Sequence, residues 1–419
     1  MDYDRSGIEV DVPDKNLSAV LTMNTIRALE NPTLSVKDAL SRPIAGPSLD
    51  RIAKGRRNAC VVVSDITRPV PHNIILPPLL DSLEENGLLP ENITLLVATG
   101  LHAPMNIAQL RETLTDNVVD RYPIVNHRAK ISREQVFLGK TSTGIPIWVD
   151  RRYVESDLKV LTGLIEAHFM AGYSGGRKLV APGLVGVETI KYLHGPTILE
   201  HPLATTGVLH GNPLHEASME IATRAGVDFI LNISLNEKRE ITGVYAGELE
   251  AAHLFGVSQV DNMVVAGIKK PVEIVVTSAA GYPLDTTFYQ AVKGMVGVLD
   301  ILKDGGSIII AASCIDGIGS EDFERLLRKT KDINVFLKII KQAGQFTIDQ
   351  WQIEKLAKAL KKGTVYLFTE GLTNNQVRDC LVEPIPSIEV GIAQALEYHG
   401  KDAKIAVIPK GPYVIPRVQ

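Results

Sequence analysis

The stretch ACVVVSDITRPVP, residues 59–71, joins a continuous apolar run to a polar loop that contains two prolines. The run Ala59–Val63 does not alternate between apolar and polar residues, which favours a strand buried on both faces. Similar runs recur along the chain at Ile93–Val97, Leu158–Leu164, Phe229–Ile233, Glu273–Thr277, Ser307–Ala311, Val365–Phe368 and Lys404–Ile408. Such runs predict buried strands of parallel sheets.

Stretches with helical periodicity lie between these strands, for example Glu321–Gln342 and Asp349–Lys362. Alternation of strand and helix predicts an α/β fold. A chain of 419 residues is long for one hydrophobic core. We therefore predict two α/β domains with largely parallel sheets, spanning residues 1–265 and 266–419. The segment GIEVDVP, residues 7–13, is predicted to form an edge strand or a hairpin arm.

The composition is typical of a soluble globular protein, with 45% hydrophobic and 22% charged residues. Lys and Arg number 44 against 48 Asp and Glu, so no basic surface suggests a nucleic-acid partner. Cys60, Cys314 and Cys380 are too few and too scattered for a disulfide framework or a thiolate zinc site. No signal peptide and no membrane-length apolar run are apparent. These features predict a cytoplasmic protein without a membrane partner.

Polar residues collect after the predicted strands, where open parallel sheets bind their ligands. In the loop after the first run, Arg68 offers a planar fork to a carboxylate or phosphate, and the prolines stiffen the loop. A structural turn interaction between Asp65 and Arg68 is an equally good interpretation.

Two histidines follow neighbouring strands, His102 in ATGLH and His168 in EAH. A lone histidine at such a place is more often buried or capping than catalytic. A pair at matching places could instead act as general acid and base on opposite faces of a substrate, which a racemisation requires.

The segment GYSGGRK, residues 172–178, resembles a phosphate loop but lacks the Walker pattern, because Arg177 and Leu179 flank Lys178. Its glycines allow close approach to a ligand, and its backbone N–H groups could cradle an anion. The competing interpretation is a surface turn with two solvated cations.

Four histidines, His194, His201, His210 and His215, lie at irregular spacings that exclude a zinc-protease helix pair. One of them could be a single protein ligand to a metal held mostly by another group.

The predicted helix Phe288–Val298 carries Tyr289, Gln290 and Lys293. Tyr289 and Lys293 are four residues apart and share a helix face. A phenol, an amide and an ammonium suit an α-hydroxycarboxylate, although a solvated face is the simpler interpretation for these residues in isolation.

Taken together, the chain resembles the nickel-dependent lactate racemase family. The motifs that carry the resemblance appear in the order SDITRPVP, ATGLHAP, EAHFMAGYSGGRKLVAPG, TTGVLHGNPLHE, GYPLDTTFYQAVKGM and ASCIDGIGSEDF, over roughly residues 60–325. Each motif is modest alone, but the ordered set is specific.

The resemblance implies a nickel pincer cofactor, a pyridinium-3,5-bisthiocarboxylic acid mononucleotide in which two sulfurs and a ring carbon hold the metal. One arm of the cofactor is joined to a lysine, which here matches Lys178. The remaining nickel ligand is a histidine, with His194 the better positional match and His201 the alternative. Asp65 and Ser174 are candidates for holding the nucleotide. Cofactor-making enzymes are implied as partners.

The implied reaction is reversible hydride transfer from a 2-hydroxyacid, most simply lactate, through a planar 2-keto acid. His102 and His168 exchange the roles of acid and base. Arg68 and Lys293 hold the substrate carboxylate, and Tyr289 and Gln290 orient it. These assignments imply an active site in a cleft between the two domains.

Other functions are carried as alternatives. Malate, 2-hydroxyglutarate, phenyllactate, longer aliphatic acids and sugar acids would undergo the same chemistry, and the sequence does not choose among them. An NAD-dependent dehydrogenase lacks support, because no G-x-G-x-x-G motif opens a strand–helix unit. A nickel or nucleotide carrier would need Lys178 and His194, but not both His102 and His168.

Overall fold

A computed structural model of the chain describes residues 1–342 and 346–419. These residues form two compact units. The central unit comprises Thr25–Glu166 and Met170–Met263, and the terminal unit comprises Met1–Asn24, Ala167–Phe169 and Val264–Gln419. The domain division at residues 265 and 266 stays a prediction, and the two units differ from it in the placement of residues 1–24, 167–169 and 264–265.

The described strands, numbered in chain order, are β1 Leu17–Val20, β2 Ala59–Ser64, β3 Ile93–Ala98, β4 Ile124–Asn126, β5 Gln135–Lys140, β6 Pro146–Asp150, β7 Leu158–Leu164, β8 Ala167–His168, β9 Gly172–Tyr173, β10 Phe229–Leu235, β11 Ile241–Gly247, β12 Val265–Ile268, β13 Val272–Ser278, β14 Leu302–Ala311, β15 Gly363–Phe368, β16 Glu383–Pro384, β17 Ile405–Ile408 and β18 Ile415–Val418.

The described helices are α1 Pro32–Ser41, α2 Leu49–Ala53, α3 His72–Glu85, α4 Ile107–Leu114, α5 Asp116–Arg121, α6 Arg151–Val154, α7 Val187–Leu193, α8 Pro196–Leu199, α9 Pro213–Ala225, α10 Leu249–Val264, α11 Phe288–Val296, α12 Glu321–Lys329, α13 Ile333–Ile340, α14 Gln350–Lys362, α15 Asn374–Asp379 and α16 Ile388–His399. Within residues 1–342 and 346–419, no helix has the length and apolar character to cross a bilayer.

The central unit is built on a sheet in the order β11-β10-β7-β2-β3-β4. All neighbouring pairs are parallel except β10 and β11. Strand β2 is buried along its whole length, as expected for a strand covered on both faces. Helix α3 packs its apolar residues Leu76 and Leu79 into the same core as Val61 and Val63.

The terminal unit is built on a second sheet in the order β1-β17-β13-β14-β15-β16, in which every neighbouring pair is parallel. Helices α11 and α14 cover this sheet through residues such as Phe288, Met295 and Leu356. The prediction of an α/β fold with largely parallel sheets is confirmed.

Two local predictions are wrong. Residues 7–13 form no strand and follow a turn that ends at Gly7, which has a φ of +77° and donates its N–H to the Tyr3 carbonyl. The edge strand is instead Leu17–Val20. The helix predicted over Glu321–Gln342 is broken into α12 and α13. Asp332 causes the break, since its side chain accepts the N–H groups of the next helix as an N-cap.

Candidate active site

The loops after β3, β2 and β7 meet at one edge of the central sheet, because these strands are parallel neighbours. His102 follows β3, Asp65 and Arg68 follow β2, and Glu166 follows β7. The sheet therefore gathers side chains that are far apart in sequence.

Asp65 and His102 form the central pair of this edge. The Nδ1 atom of His102 lies 2.6 Å from Oδ2 of Asp65. Asp65 is 4% exposed, whereas the His102 side chain is 44% exposed. The carboxylate holds the proton on Nδ1, so Nε2 is the nitrogen that can exchange a proton with a ligand. Asp65 is thus placed to orient His102; its predicted contact with a nucleotide stays a prediction.

The charge of Asp65 is stabilised by its neighbours. Burial raises the pKa of this carboxyl, but the His102 charge, hydrogen bonds from His102 and Thr67, and the Arg68 charge outweigh burial and lower the pKa to about 2. Thr67 donates both its backbone N–H, at 3.0 Å, and its hydroxyl, at 2.5 Å, to Oδ1 of Asp65. Asp65 is consequently ionised at neutral pH.

Arg68 makes the turn contact with Asp65 that was considered from the sequence, whereas its predicted contact with a ligand carboxylate or phosphate stays a prediction. Its backbone N–H donates to the Asp65 carbonyl in a turn, at 3.1 Å. Its guanidinium instead points to Glu166, with Nη1 3.2 Å from Oε1. The side chains are only 25% and 14% exposed, so this ion pair is partly shielded from water. The remaining guanidinium N–H groups keep the capacity to bind an anion.

Ser174 fixes the backbone beside Glu166. Its hydroxyl donates to the Leu164 carbonyl, at 2.7 Å, and accepts the Glu166 N–H, at 2.9 Å. The Ser174 N–H also donates to the Glu166 carbonyl. These bonds tie the segment before Lys178 to the end of β7. The predicted contact between Ser174 and a nucleotide stays a prediction.

Lys178 is half-buried and lies in a short 3-10 helix, Gly176–Leu179. Gly175, just before this turn, has a φ of +76°, and a Cβ there would lie 2.7 Å from Oδ1 of Asn232. The same oxygen accepts the Gly176 N–H, at 2.8 Å. The glycines are thus required by close packing against protein. The interpretation of a surface turn with two solvated cations is wrong for Arg177, which is fully buried.

The histidines after the loop differ in their surroundings. His194 ends helix α7, where its N–H donates to the Ile190 carbonyl, and His201 is exposed. His215 is buried, and burial followed by the Arg177 charge lowers its pKa to about 3. Across the described ranges, no group of three or more His, Cys, Asp or Glu side chains could hold a metal ion.

The predicted substrate residues of the terminal unit share helix α11, which Thr287 caps by accepting the Gln290 N–H. The Tyr289 hydroxyl accepts the indole N–H of Trp351, at 2.9 Å. Gln290 Oε1 is buried without a hydrogen-bond partner among the described residues. Lys293 Nζ lies 5.9 Å from the Phe169 ring centroid. The helix therefore presents one phenol, one buried acceptor and one cation.

His168 lies in β8 and its ring is 5.2 Å from that of Phe169. It belongs to the terminal unit and His102 to the central unit. Pairing of the two histidines in catalysis stays a prediction.

Sequence reasoning missed three residues that contact predicted site residues. Thr67 supports Asp65, Glu166 pairs with Arg68, and Trp351 binds the Tyr289 hydroxyl. Thr67 and Glu166 stood inside the quoted motifs beside predicted residues, which is the signal that could have found them. Trp351 carried no such signal, because it lies on a helix remote in sequence.

Two domain families, which are the two domains of lactate racemase, match the chain. Residues 3–207 match the lactate racemase N-terminal domain and residues 268–416 match the lactate racemase C-terminal domain. The lactate racemase of Thermoanaerobacterium thermosaccharolyticum is 36% identical over 99% of this chain and 98% of its own length. That of Lactiplantibacillus plantarum is 33% identical over the same shares.

Solved structures with a similar fold also match the chain. The lactate racemase apoprotein of T. thermosaccharolyticum has a TM-score of 0.93 at 35% identity, with 99% of both chains covered. A protein of Thermotoga maritima shares the fold, with a TM-score of 0.71 at 19% identity, over 94% of this chain and 99% of its own. The chain therefore belongs to the lactate racemase family and is an isomerase.

Proposed function

We propose that the protein is a nickel-dependent racemase of a 2-hydroxyacid, with lactate as the first substrate to test. The observation that carries the proposal is the oriented pair Asp65–His102 beside the partly shielded cation Arg68. A proton-exchanging imidazole next to a carboxylate-binding guanidinium is what a 2-hydroxyacid needs at its hydroxyl and carboxylate ends.

The cofactor implied by the family is a nickel pincer nucleotide, and the residues around Lys178 fit its attachment. Lys178 is half-buried in a loop that Ser174 and Asn232 fix in place, which suits covalent attachment at one defined position. His194 is assigned as the protein ligand to nickel, with His201 as the alternative, since imidazole suits this metal. When bound, the group supplies reversible acceptance of a hydride from the substrate Cα.

His102 is assigned the transfer of the hydroxyl proton. Its Nε2 accepts that proton while Asp65 stabilises the resulting imidazolium, and it returns the proton in the reverse direction. His168 is assigned the same task for the other enantiomer. The product of oxidation at Cα, a 2-keto acid, is planar, so return of hydrogen to its opposite face inverts the configuration.

Arg68 and Lys293 are assigned to hold the substrate carboxylate, and Tyr289 and Gln290 are assigned to orient the substrate. A carboxylate is bound most strongly by charged donors. The Tyr289 hydroxyl accepts the Trp351 indole N–H at 2.9 Å, which holds the phenol in one orientation. The buried acceptor Gln290 Oε1 suits a substrate hydroxyl.

The decisive experiment uses protein made in a host that supplies the cofactor. Intact mass, nickel content and conversion of L-lactate to D-lactate are measured for wild type, Lys178→Ala and the exposed control Lys54→Ala. We expect a nucleotide-sized adduct on Lys178, nickel near one per chain, and loss of adduct, nickel and racemisation only in Lys178→Ala. Absence of both adduct and nickel from wild-type protein made in the cofactor-supplying host would refute the proposal.

Two variants separate racemisation from carriage of the metal. His102→Gln and His168→Gln should keep the adduct and nickel but lose at least about 100-fold in racemisation. Unchanged turnover would favour a different pair of proton-transfer groups.

A racemase also forms no net keto acid without an external oxidant, which distinguishes it from a dehydrogenase. A panel with malate, 2-hydroxyglutarate and phenyllactate tests the alternative substrates.

A further inference from the structure

Arg177, the residue before Lys178, is a fully buried cation inside the central unit. Its Nη2 donates to the Ala171 carbonyl, at 2.9 Å, and its Nη1 lies 3.4 Å from the Gly175 carbonyl. The same Nη1 lies 2.8 Å from Nε2 of His253 on helix α10. One guanidinium thus spans the two ends of the turn that precedes Lys178.

His253 meets Arg177 as a neutral acceptor. Its Nε2 also lies 2.9 Å from the Ser174 carbonyl, so one ring nitrogen contacts both the guanidinium and the loop, and it accepts from Arg177 in the tautomer that carries the ring proton on Nδ1. Burial, the Arg177 charge and the Lys178 charge all act to lower the pKa of His253 well below its usual value. A Cβ on Gly176 would lie 2.9 Å from this ring, so the ring packs directly on the loop.

The Arg177 charge has no acidic partner among the described residues. Every acceptor that it contacts is a carbonyl or a neutral imidazole, and its Nε is buried without a partner. Burial alone lowers its pKa to about 9. Natural proteins rarely bury a charge without a counter-ion, because desolvation of a charge is costly. The residue next to Lys178 in the chain therefore carries a buried positive charge that an anion would offset.

We propose that Arg177 and His253 are positioning residues for Lys178. They hold the turn that precedes it, and the buried Arg177 charge favours an anionic group beside the Lys178 amine. The cofactor-binding part of this inference rests on the proposed function of Lys178. It extends that function by assigning the shape and the anion preference of the attachment site to Arg177 and His253, which are not among the residues assigned to substrate or metal.

The anion preference is tested on apoprotein, without cofactor. Lys178 is reductively alkylated with glyoxylate, an anionic aldehyde, or with propionaldehyde, a neutral one, and the modified lysines are mapped by mass spectrometry. The ratio of the two labelling rates at Lys178 should exceed that at the exposed Lys54 by about tenfold. Equal ratios at both lysines in wild type would overturn the proposal without any variant.

Variants separate charge from shape. Arg177→Gln keeps donors but is neutral, so the glyoxylate preference at Lys178 should fall about fivefold or more, whereas Arg177→Lys should keep it within about twofold. A purely structural role would change both labelling rates together and leave the ratio unchanged. Arg224→Gln, which alters a surface pair with Glu220, is the control and should change neither rate.

Attachment of the cofactor gives the second readout, by intact mass in a cofactor-supplying host. His253→Gln keeps an acceptor for Arg177 and should retain the Lys178 adduct, whereas Arg177→Gln should slow its formation about tenfold. Absence of the adduct in wild type would count against the proposed function. The present inference would then be decided by the ratio of glyoxylate to propionaldehyde labelling at Lys178. Normal adduct formation together with an unchanged ratio of glyoxylate to propionaldehyde labelling in Arg177→Gln would overturn this inference but not the proposed function.

Discussion

Two buried aspartates, each in a loop after a parallel strand, do different work in the two units. Asp65, after β2 of the central unit, faces the half-exposed imidazole of His102. Asp285, after β13 of the terminal unit, is fully buried and accepts the backbone N–H groups of Asp4, at 2.8 Å, and Ser313, at 3.2 Å. Asp65 thus contacts a titratable side chain, whereas Asp285 accepts hydrogen bonds from the backbone.

The difference lies in the partners and not in the carboxylates themselves. A carboxylate bound to backbone N–H groups ties loops together, and its loss leaves buried donors unsatisfied. A carboxylate bound to an imidazole sets that ring's orientation and stabilises its charged form. Removal of Asp285 should therefore cost stability, whereas removal of the Asp65 charge should cost turnover as well as the stability of its ion pair.

The largest expected effect is on turnover in Asp65→Asn. The amide keeps the size of the side chain but no longer stabilises the His102 imidazolium, so kcat should fall about 100-fold, equivalent to about 2.7 kcal/mol. Initial rates of lactate racemisation on equally loaded protein measure this. The exposed Asp116→Asn is the control. A loss below about threefold would show that Asp65 is not needed to orient His102.

Asp285→Ala should lower the free energy of unfolding of the terminal unit by about 2 kcal/mol, because the buried N–H of Ser313 and the half-buried N–H of Asp4 lose their acceptor. The sequence has two tryptophans, Trp148 and Trp351, one in each unit. In a Trp148→Phe background, fluorescence during urea unfolding reports the terminal unit. Unchanged stability there would contradict the assignment of Asp285 to the backbone.

Acid should reveal the Asp65 ion pair. Its pKa in the folded protein, about 2, lies below the ordinary value of 3.8, so the pair stabilises the fold above about pH 4 and this stabilisation is lost as the pH falls towards 2. The shift corresponds to at most about 2 kcal/mol. Between pH 4 and 2, wild type should thus lose more stability than Asp65→Asn, measured by urea unfolding. Parallel losses would refute the pair's contribution.

The smallest expected effect concerns Glu166→Gln. The substrate carboxylate would no longer compete with Glu166 for Arg68, so KM should fall about threefold while kcat stays within about twofold. Glu155→Gln, in an exposed pair with Arg151, is the control. A higher KM would mean that Glu166 holds Arg68 in its binding orientation, and would reverse the competition assigned here.

Much of the fold was predictable from the sequence, because runs buried on both faces carry a strong local signal. Strand β7 was predicted with its observed ends, Leu158–Leu164. The antiparallel strand β11 and the hairpin β5–β6 were missed, since Ile241–Gly247 and Gln135–Lys140 are only partly buried and form no continuous apolar run. The break at Asp332 depends on one capping side chain, which helical periodicity does not register.

The site was predictable as a set of loops but not as a set of contacts. His102, Asp65 and Arg68 were found because each follows a predicted strand. The pairing of Asp65 with His102 depends on the order of strands in the sheet, and neither residue's neighbours in sequence encode it. Burial of Arg177 was missed for a similar reason, since its partners His253 and Ala171 are supplied by packing.

The order of the chain has a consequence for synthesis on the ribosome. Strand β1 precedes the central unit, whereas its partner β17 follows it, with Leu17 opposite Ile405. At typical elongation rates, β1 waits on the order of 20–80 s for its partner. The central unit is nearly continuous in sequence and can fold meanwhile. During this interval the unpaired β1 has little tendency to pair with a wrong strand, because it has only four residues and exposes a short edge.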